Sequence, residues 1–173
     1  MRVASWFLLV GSLALPTLAV GCQREPLAVA RVDLQRMSGK WYEIAKLPRA
    51  TQMGCAATTA EYQLKSTNEL LVINECHEGG LDGPLKRVSA RAVANDASEP
   101  GKLSLDFGFA YGDYWVIDVG DDYEYVVVGH PSRDYLWILS RSRSLPKATL
   151  SGVLDRAQKN GFAIGTLTYT QQE

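Results

Sequence analysis

From Trp41 onward the chain is a run of short segments in which apolar and polar residues alternate, each closed by a turn signal. Period-2 alternation puts successive side chains on opposite faces of an extended strand. The segments are Trp41–Leu47, Ala56–Leu64, Leu70–Cys76, Lys86–Ala94, Lys102–Phe107, Tyr114–Val119, Tyr123–Val128 and Tyr135–Ser140. Between them lie Lys65-Ser66-Thr67-Asn68-Glu69, Gly79-Gly80, Asp82-Gly83-Pro84, Gly120-Asp121-Asp122 and His130-Pro131-Ser132, where Gly, Pro, Asn and Asp set turns. The period then changes once. Leu150, Val153, Leu154 and Ala157 fall at i, i+3, i+4 and i+7, with Pro146 before them and Gly161 just past Asn160, which predicts one amphipathic helix over about 147–160. A last short strand is expected over Ala163–Tyr169. Regular short strands make an all-β sandwich or barrel, and patterning alone leaves both open.

At 173 residues the chain carries one domain's worth of sequence. Its 46% hydrophobic and 21% charged residues exclude wholesale disorder. With 18 Lys+Arg against 19 Asp+Glu the chain has no basic excess, which argues against a nucleic-acid partner. Two His and three Cys leave little for a metal cage, and no cofactor is expected.

The N-terminus reads as an address. Arg2, an apolar run from Val3 to Leu15 and small residues up to Cys22 have the order of a secretory signal. Gly11, Ser12 and Pro16 interrupt a run already short of the ~20 apolar residues of a spanning helix. Ala19-Val20-Gly21-Cys22 resembles the lipobox of bacterial lipoproteins, with Ala19 where Leu is usual. The resemblance implies a signal peptide over 1–21, a lipidated Cys22 as first mature residue and, because Gln23 is not Asp, an outer-membrane destination facing the periplasm. Ordinary cleavage to a soluble secreted protein is the alternative. With Cys22 so used, Cys55 and Cys76 are an even pair in an oxidising compartment, and a disulfide between them is favoured over two free thiols. Closing a loop of roughly 20 residues would contribute about 3 kcal/mol in the chain-entropy model.

Three ordered motifs favour the barrel. Gly39-Lys40-Trp41-Tyr42-Glu43-Ile44-Ala45 opens the first strand, Asp121-Asp122-Tyr123 precedes the seventh, and Arg141 follows Asp134-Tyr135-Leu136-Trp137-Ile138-Leu139-Ser140. Together they resemble the signatures of the lipocalin family, most closely its bacterial outer-membrane members, and the likeness runs through Phe109–Val116 and onward from about Arg36. It implies an eight-stranded up-and-down antiparallel β-barrel over 37–173, with the helix packed outside and 22–36 as a lead. In a closed barrel the first and last strands meet. Gly39, Trp41 and Arg141 would then form a closed end, with the guanidinium over the indole and on the carbonyls of the lead.

Strand parity extended from these anchors gives the inward set. It comprises Glu43 and Ala45, then Thr58, Ala60 and Tyr62, then Val72 and Asn74, Tyr114 and Val116, and Trp137 and Leu139. Tyr114 is placed inside by the resemblance. Such a mixture of apolar walls and a few polar groups suits a small-molecule site. Glu43 is costly there unless bonded, and its expected partner is Tyr114 or the polar end of a ligand. The favoured function is non-catalytic binding, storage or transport of a single-chain amphiphile, a fatty acid or lysophospholipid. The rivals are a lipid-acting enzyme using Cys55 and a haem carrier using His77 or His130. The resemblance is compatible with a homodimer.

Overall fold

The computed structural model describes residues 25–172; the expected signal segment and Cys22 lie outside them. Nine strands form one antiparallel sheet. They are β1 (Gly39–Lys46), β2 (Cys55–Ser66), β3 (Glu69–Glu78), β4 (Leu85–Ala94), β5 (Lys102–Asp106), β6 (Tyr111–Val119), β7 (Tyr125–Gly129), β8 (Leu136–Ser140) and β9 (Thr168–Tyr169). From β2 to β8 each strand pairs with the next, β8 pairs with β1, and β1 pairs back to β2. That last pairing closes eight strands into a barrel and removes the free edges an open sheet would expose. The expected barrel is therefore the observed one, and its meander order follows from hairpin connections throughout.

Two apolar layers result from the alternation. One fills the barrel, with Trp41, Tyr62, Leu70, Val72, Ala90, Ala92, Leu103, Tyr114, Val116, Val126 and Leu139 among its members. The other lies outside, between the barrel wall and helix α2 (Lys147–Lys159). There Val153 and Ala157 of the helix meet Ile44, Leu47, Val127, Leu136 and Ile138. Arg156 fixes the helix laterally by donating from Nε to Asp118 Oδ2 at 2.8 Å and from Nη2 to the Tyr125 hydroxyl at 2.7 Å.

Four local expectations are corrected. Tyr123 does not open the seventh strand; it sits in the preceding turn at φ +56, and its hydroxyl accepts from Asp33 N–H at 2.7 Å. The last strand is confined to Thr168–Tyr169, because Ile164–Thr166 form a helical turn first. The lead, in which the sequence pattern shows no element, carries a helix α1 (Leu34–Met37) capped by the Asp33 side chain on Gln35 N–H. Finally, Ala45 faces outward into the layer beneath α2. A register shift between Glu43 and Ala45 is the cause: it turns both Ile44 and Ala45 outward and inverts the parity beyond them.

Cys55 and Cys76 are joined, as favoured, by a disulfide between β2 and β3, with S–S 2.06 Å and Cα–Cα 5.4 Å. At the far end of β7, Gly129 leaves the space into which Phe162 packs; a Cβ there would lie 2.6 Å from Phe162 Cζ. Gly129→Ala should therefore destabilise the protein by about 1–3 kcal/mol through overpacking. Urea denaturation would show this, and an unchanged midpoint would mean that the helical layer shifts at no cost.

Candidate functional site

The barrel has two unlike ends. At one, β8 finishes and β1 begins, and the lead crosses the opening. The Arg141 guanidinium lies 3.7 Å from the centroid of the Trp41 ring. It donates to the carbonyl of Lys40 at 3.0 Å, of Arg36 at 2.7 Å and of Ser38 at 2.9 Å. Trp41 in turn donates from Nε1 to Met37 O at 2.8 Å. One cation thus covers an indole and holds three carbonyls, from α1, its C-cap and the start of β1. Gly39 makes the approach possible. Its φ is +97, and a Cβ would come within 3.3 Å of Arg141 Nη1. Arg36 reinforces the same end by stacking 4.1 Å from the Tyr123 ring centroid.

The interior above this base is apolar with one polar band. Ala60, Tyr62, Val72, Tyr114, Val116 and Leu139 belong to the inner layer, and Trp137 packs against it half-buried. Asn74 is half-buried on β3, paired in register with Ala60 and Val88. Tyr62 and Tyr114 share a hydroxyl–hydroxyl hydrogen bond of 2.5 Å. Burial, with Tyr114 adding to it, holds the Tyr62 hydroxyl well above its ordinary value. Tyr114 is pushed up to about 12, chiefly by burial; the charge of Glu43 acts in the same direction and the bond with Tyr62 against it.

Glu43 does not bond Tyr114. It forms a buried ion pair with Lys46, and the Thr170 hydroxyl donates to the same carboxylate oxygen at 2.5 Å. Simple parity leaves Lys46 out of the inward set for the same reason that it puts Ala45 in: past the register shift, Lys46 turns inward and is only 4% exposed. The available signal was the adjacent apolar pair Ile44-Ala45, which breaks the alternation inside β1. Thr58 is also buried, and its Oγ1 has no hydrogen-bond partner.

The C-terminal segment completes this wall. β1 pairs with β2 only over Gly39–Tyr42; beyond that, Ala45 and Lys46 pair with β9 instead. Thr170 N–H donates to Ile44 O at 3.0 Å, and Ala57 N–H donates to Gln171 O at 2.7 Å. Gln172 donates from Nε2 to both Glu43 O and Thr58 O. Residues 170–172 therefore wedge between strands that have parted. Neither Thr170 nor Gln172 carries any local sequence signal for such a role.

A family model described as a lipocalin-like domain matches residues 32–172. The chain belongs to the lipocalin family. The outer membrane lipoprotein Blc of Vibrio cholerae is 31% identical over 158 residues, 88% of this chain and 92% of that protein. Blc of Escherichia coli K12 is 31% identical over 95% of this chain and 96% of its own length, and apolipoprotein D of Cavia porcellus 31% over 81% and 77%. Among solved structures, insecticyanin from the tobacco hornworm superposes with a TM-score of 0.64 at 24% identity, covering 87% of this chain and 85% of that one. Lobster apocrustacyanin A1 gives 0.64 at 20% identity, with coverage of 86% and 90%. These two likenesses show the lipocalin fold.

Two outcomes follow from the site's chemistry. Arg141→Lys keeps the charge but loses the planar fork that reaches three carbonyls while stacking on Trp41. It should lower stability by about 2–4 kcal/mol in urea titration. The tyrosine pair gives a pH signature. Unfolded tyrosines ionise near 10, whereas folded Tyr114 holds its proton to about 12. Stability conferred by the neutral folded pair is complete below pH ~10 and falls as pH rises toward ~12, by about 1.4 kcal/mol per unit per tyrosine. The Tyr62→Phe, Tyr114→Phe double variant should show a much flatter alkaline decline.

Proposed function

We propose that this lipocalin binds, stores or carries a single-chain amphiphile, a fatty acid or lysophospholipid, inside its barrel, and is held at the bacterial outer membrane through a lipidated Cys22. The family is one of binders of small hydrophobic ligands. The observation that carries the narrower reading is the inner wall itself. It pairs small side chains (Ala60, Ala90, Ala92) with apolar and aromatic ones, and its polar groups are gathered at Glu43, Lys46, Thr58 and the Tyr62–Tyr114 pair.

An acyl chain would lie along the apolar wall, each methylene contributing about 0.8 kcal/mol before ordering and association costs. The unpartnered Thr58 hydroxyl offers a hydrogen bond to a head group. Lys46 is already matched by Glu43, so a ligand carboxylate meets no unspent buried cation there. Affinity near micromolar is the expected balance, suited to carriage and release.

The outer-membrane location is supported by the names of the Vibrio and Escherichia relatives and by the lipobox-like Ala19–Cys22. No described helix is long and apolar enough to cross a membrane. The enzyme rival loses its proposed nucleophile, since Cys55 Sγ is bonded to Cys76. His130 Nδ1 already accepts from Ser132 N–H at 3.1 Å within one turn, and His77 Nδ1 is bonded to Gly83 O at 2.8 Å. Both rings are thus engaged through Nδ1 in local turn contacts.

Native mass spectrometry of the protein purified from its host envelope should show a mass increment of one single-chain lipid. An increment matching haem, or none after loading with excess fatty acid, would refute the proposal. Ala90→Phe, which fills the inner wall, should weaken displacement of a fluorescent fatty acid by about tenfold or more while the barrel circular dichroism is kept.

A further inference from the structure

The outside of the barrel is dented where its first two strands part. β1 and β2 are paired from Gly39 to Tyr42 and separate beyond it. β2 also bulges against β3 between Ala56 and Thr59. Within the bulge Ala57 stands at φ +47, a left-handed conformation that is strained for any residue but glycine, and such strain gathers at sites that hold a ligand. A cavity of about 140 Å³ results. Its lining includes Lys40, Tyr42 and Thr59, which alternate with the inward-facing Trp41 and Ala60, so the cavity lies on the outer face of the wall.

Its chemistry suits an anion. Lys40 and Arg143 bring positive charge from the start of β1 and from the segment after β8. Arg143 lies against Tyr42, its Cζ 5.3 Å from the ring centroid. The Lys40 side chain makes no ion pair or hydrogen bond among the described residues. Glu61 stands opposite it in register but accepts from Gln63 Nε2 at 3.1 Å. The hydroxyls of Tyr42 and Thr59 are also without a hydrogen-bond partner among the described residues. His77 donates from Nδ1 to Gly83 O at 2.8 Å, which leaves Nε2 available to a ligand. Glu75 is the acid of the lining, and Arg87 Nη1 lies 3.4 Å from its Oε1, so it does not cancel Lys40.

Size narrows the class. The cavity holds between four and five times the roughly 30 Å³ that a water occupies in the liquid, which is room for one compact oxyanion. A lipid or a nucleotide needs a site of several hundred Å³. An ammonium, a guanidinium and two hydroxyls drawn from three separate segments match the spread oxygens of a phosphate.

We propose that this cavity binds a phosphoryl group, as free phosphate or as the end of a phosphate ester, with Lys40 as its principal cation and the Tyr42 and Thr59 hydroxyls as donors. The site is separate from the lumen and needs neither a ligand there nor an anchor on Cys22. Gln172 belongs to the same lining and ties the tail to Glu43 O at 2.7 Å and Thr58 O at 3.0 Å. An occupant therefore binds only where the tail is seated, and phosphate stabilises the closed wall by mass action.

Titration calorimetry of the full-length protein with sodium phosphate, at an ionic strength held constant with chloride, should show one saturable site with a dissociation constant of about 1 mM or tighter. Phosphate should raise the melting temperature in step with that binding. Lys40→Ala should weaken binding about tenfold or more, and Lys40→Arg should hold it within about threefold. Lys159→Ala, on the far side of the barrel on α2, should bind as wild type does. Glu173→Gln, which removes an acid next to Gln172 in the sequence, should bind at least as tightly. Absence of saturable binding would overturn the proposal, as would equal affinities in wild type and Lys40→Ala, equal losses in the Lys40 and Lys159 variants, or weaker binding in Glu173→Gln. Competition then separates the sources. Displacement by glycerol 3-phosphate identifies the end of a soluble ester, displacement only by phosphatidic acid vesicles a lipid head group, and displacement by neither free phosphate.

Discussion

One guanidinium closes this molecule. A barrel of eight strands needs its first and last strands to meet, and nothing in their neighbouring hairpins forces that meeting. Arg141, at the end of β8, lies over Trp41 in β1 and binds carbonyls on both sides of the turn that leads into it. The contact joins residues about a hundred positions apart, so it is expensive in chain entropy and forms only when the whole meander is in place. Because the indole is otherwise buried and its N–H spent on Met37 O, the cation meets a face of the ring shielded from water, where such contacts are worth most. The lumen above can stay apolar because the polar work of closure is concentrated at its floor.

Much of the fold was legible because alternation is a local property. Tyr62, Ala60, Val72, Tyr114, Val116 and Leu139 face inward as simple parity says. The same logic failed at Ala45 and Lys46, because a shifted register turns Ile44 and Ala45 both outward and brings Lys46 in. Parity counts residues, and a bulge changes the count without changing composition. Tyr123 misled in another way. Its aromatic ring scores as strand, yet its value lies in a left-handed turn where its hydroxyl reaches Asp33 N–H. The role of Thr170 and Gln172 was illegible because it depends on β1 and β2 parting, which is a tertiary event.

The corrected register changes the chemistry of the interior. A lone buried carboxylate would demand a proton or a ligand donor. Glu43 instead has Lys46 and Thr170, so the ion pair is closed on itself and contributes no net charge to the lumen. The other buried polar groups are neutral: the Thr58 hydroxyl and the tyrosine pair, whose protons burial holds above the ordinary range. For the amphiphile proposed above, selectivity would rest on length and shape of the hydrocarbon more than on the sign of its head.

The tail wedged between β1 and β2 has a consequence for how the molecule is made. During synthesis or export the N-terminal strands emerge first, but the slot beside Ile44 and Ala57 can be filled only by residues 170 to 172. A nascent polypeptide therefore carries two unzipped strand margins until residues 170 to 172 are delivered, long after the strands they join have left the ribosome.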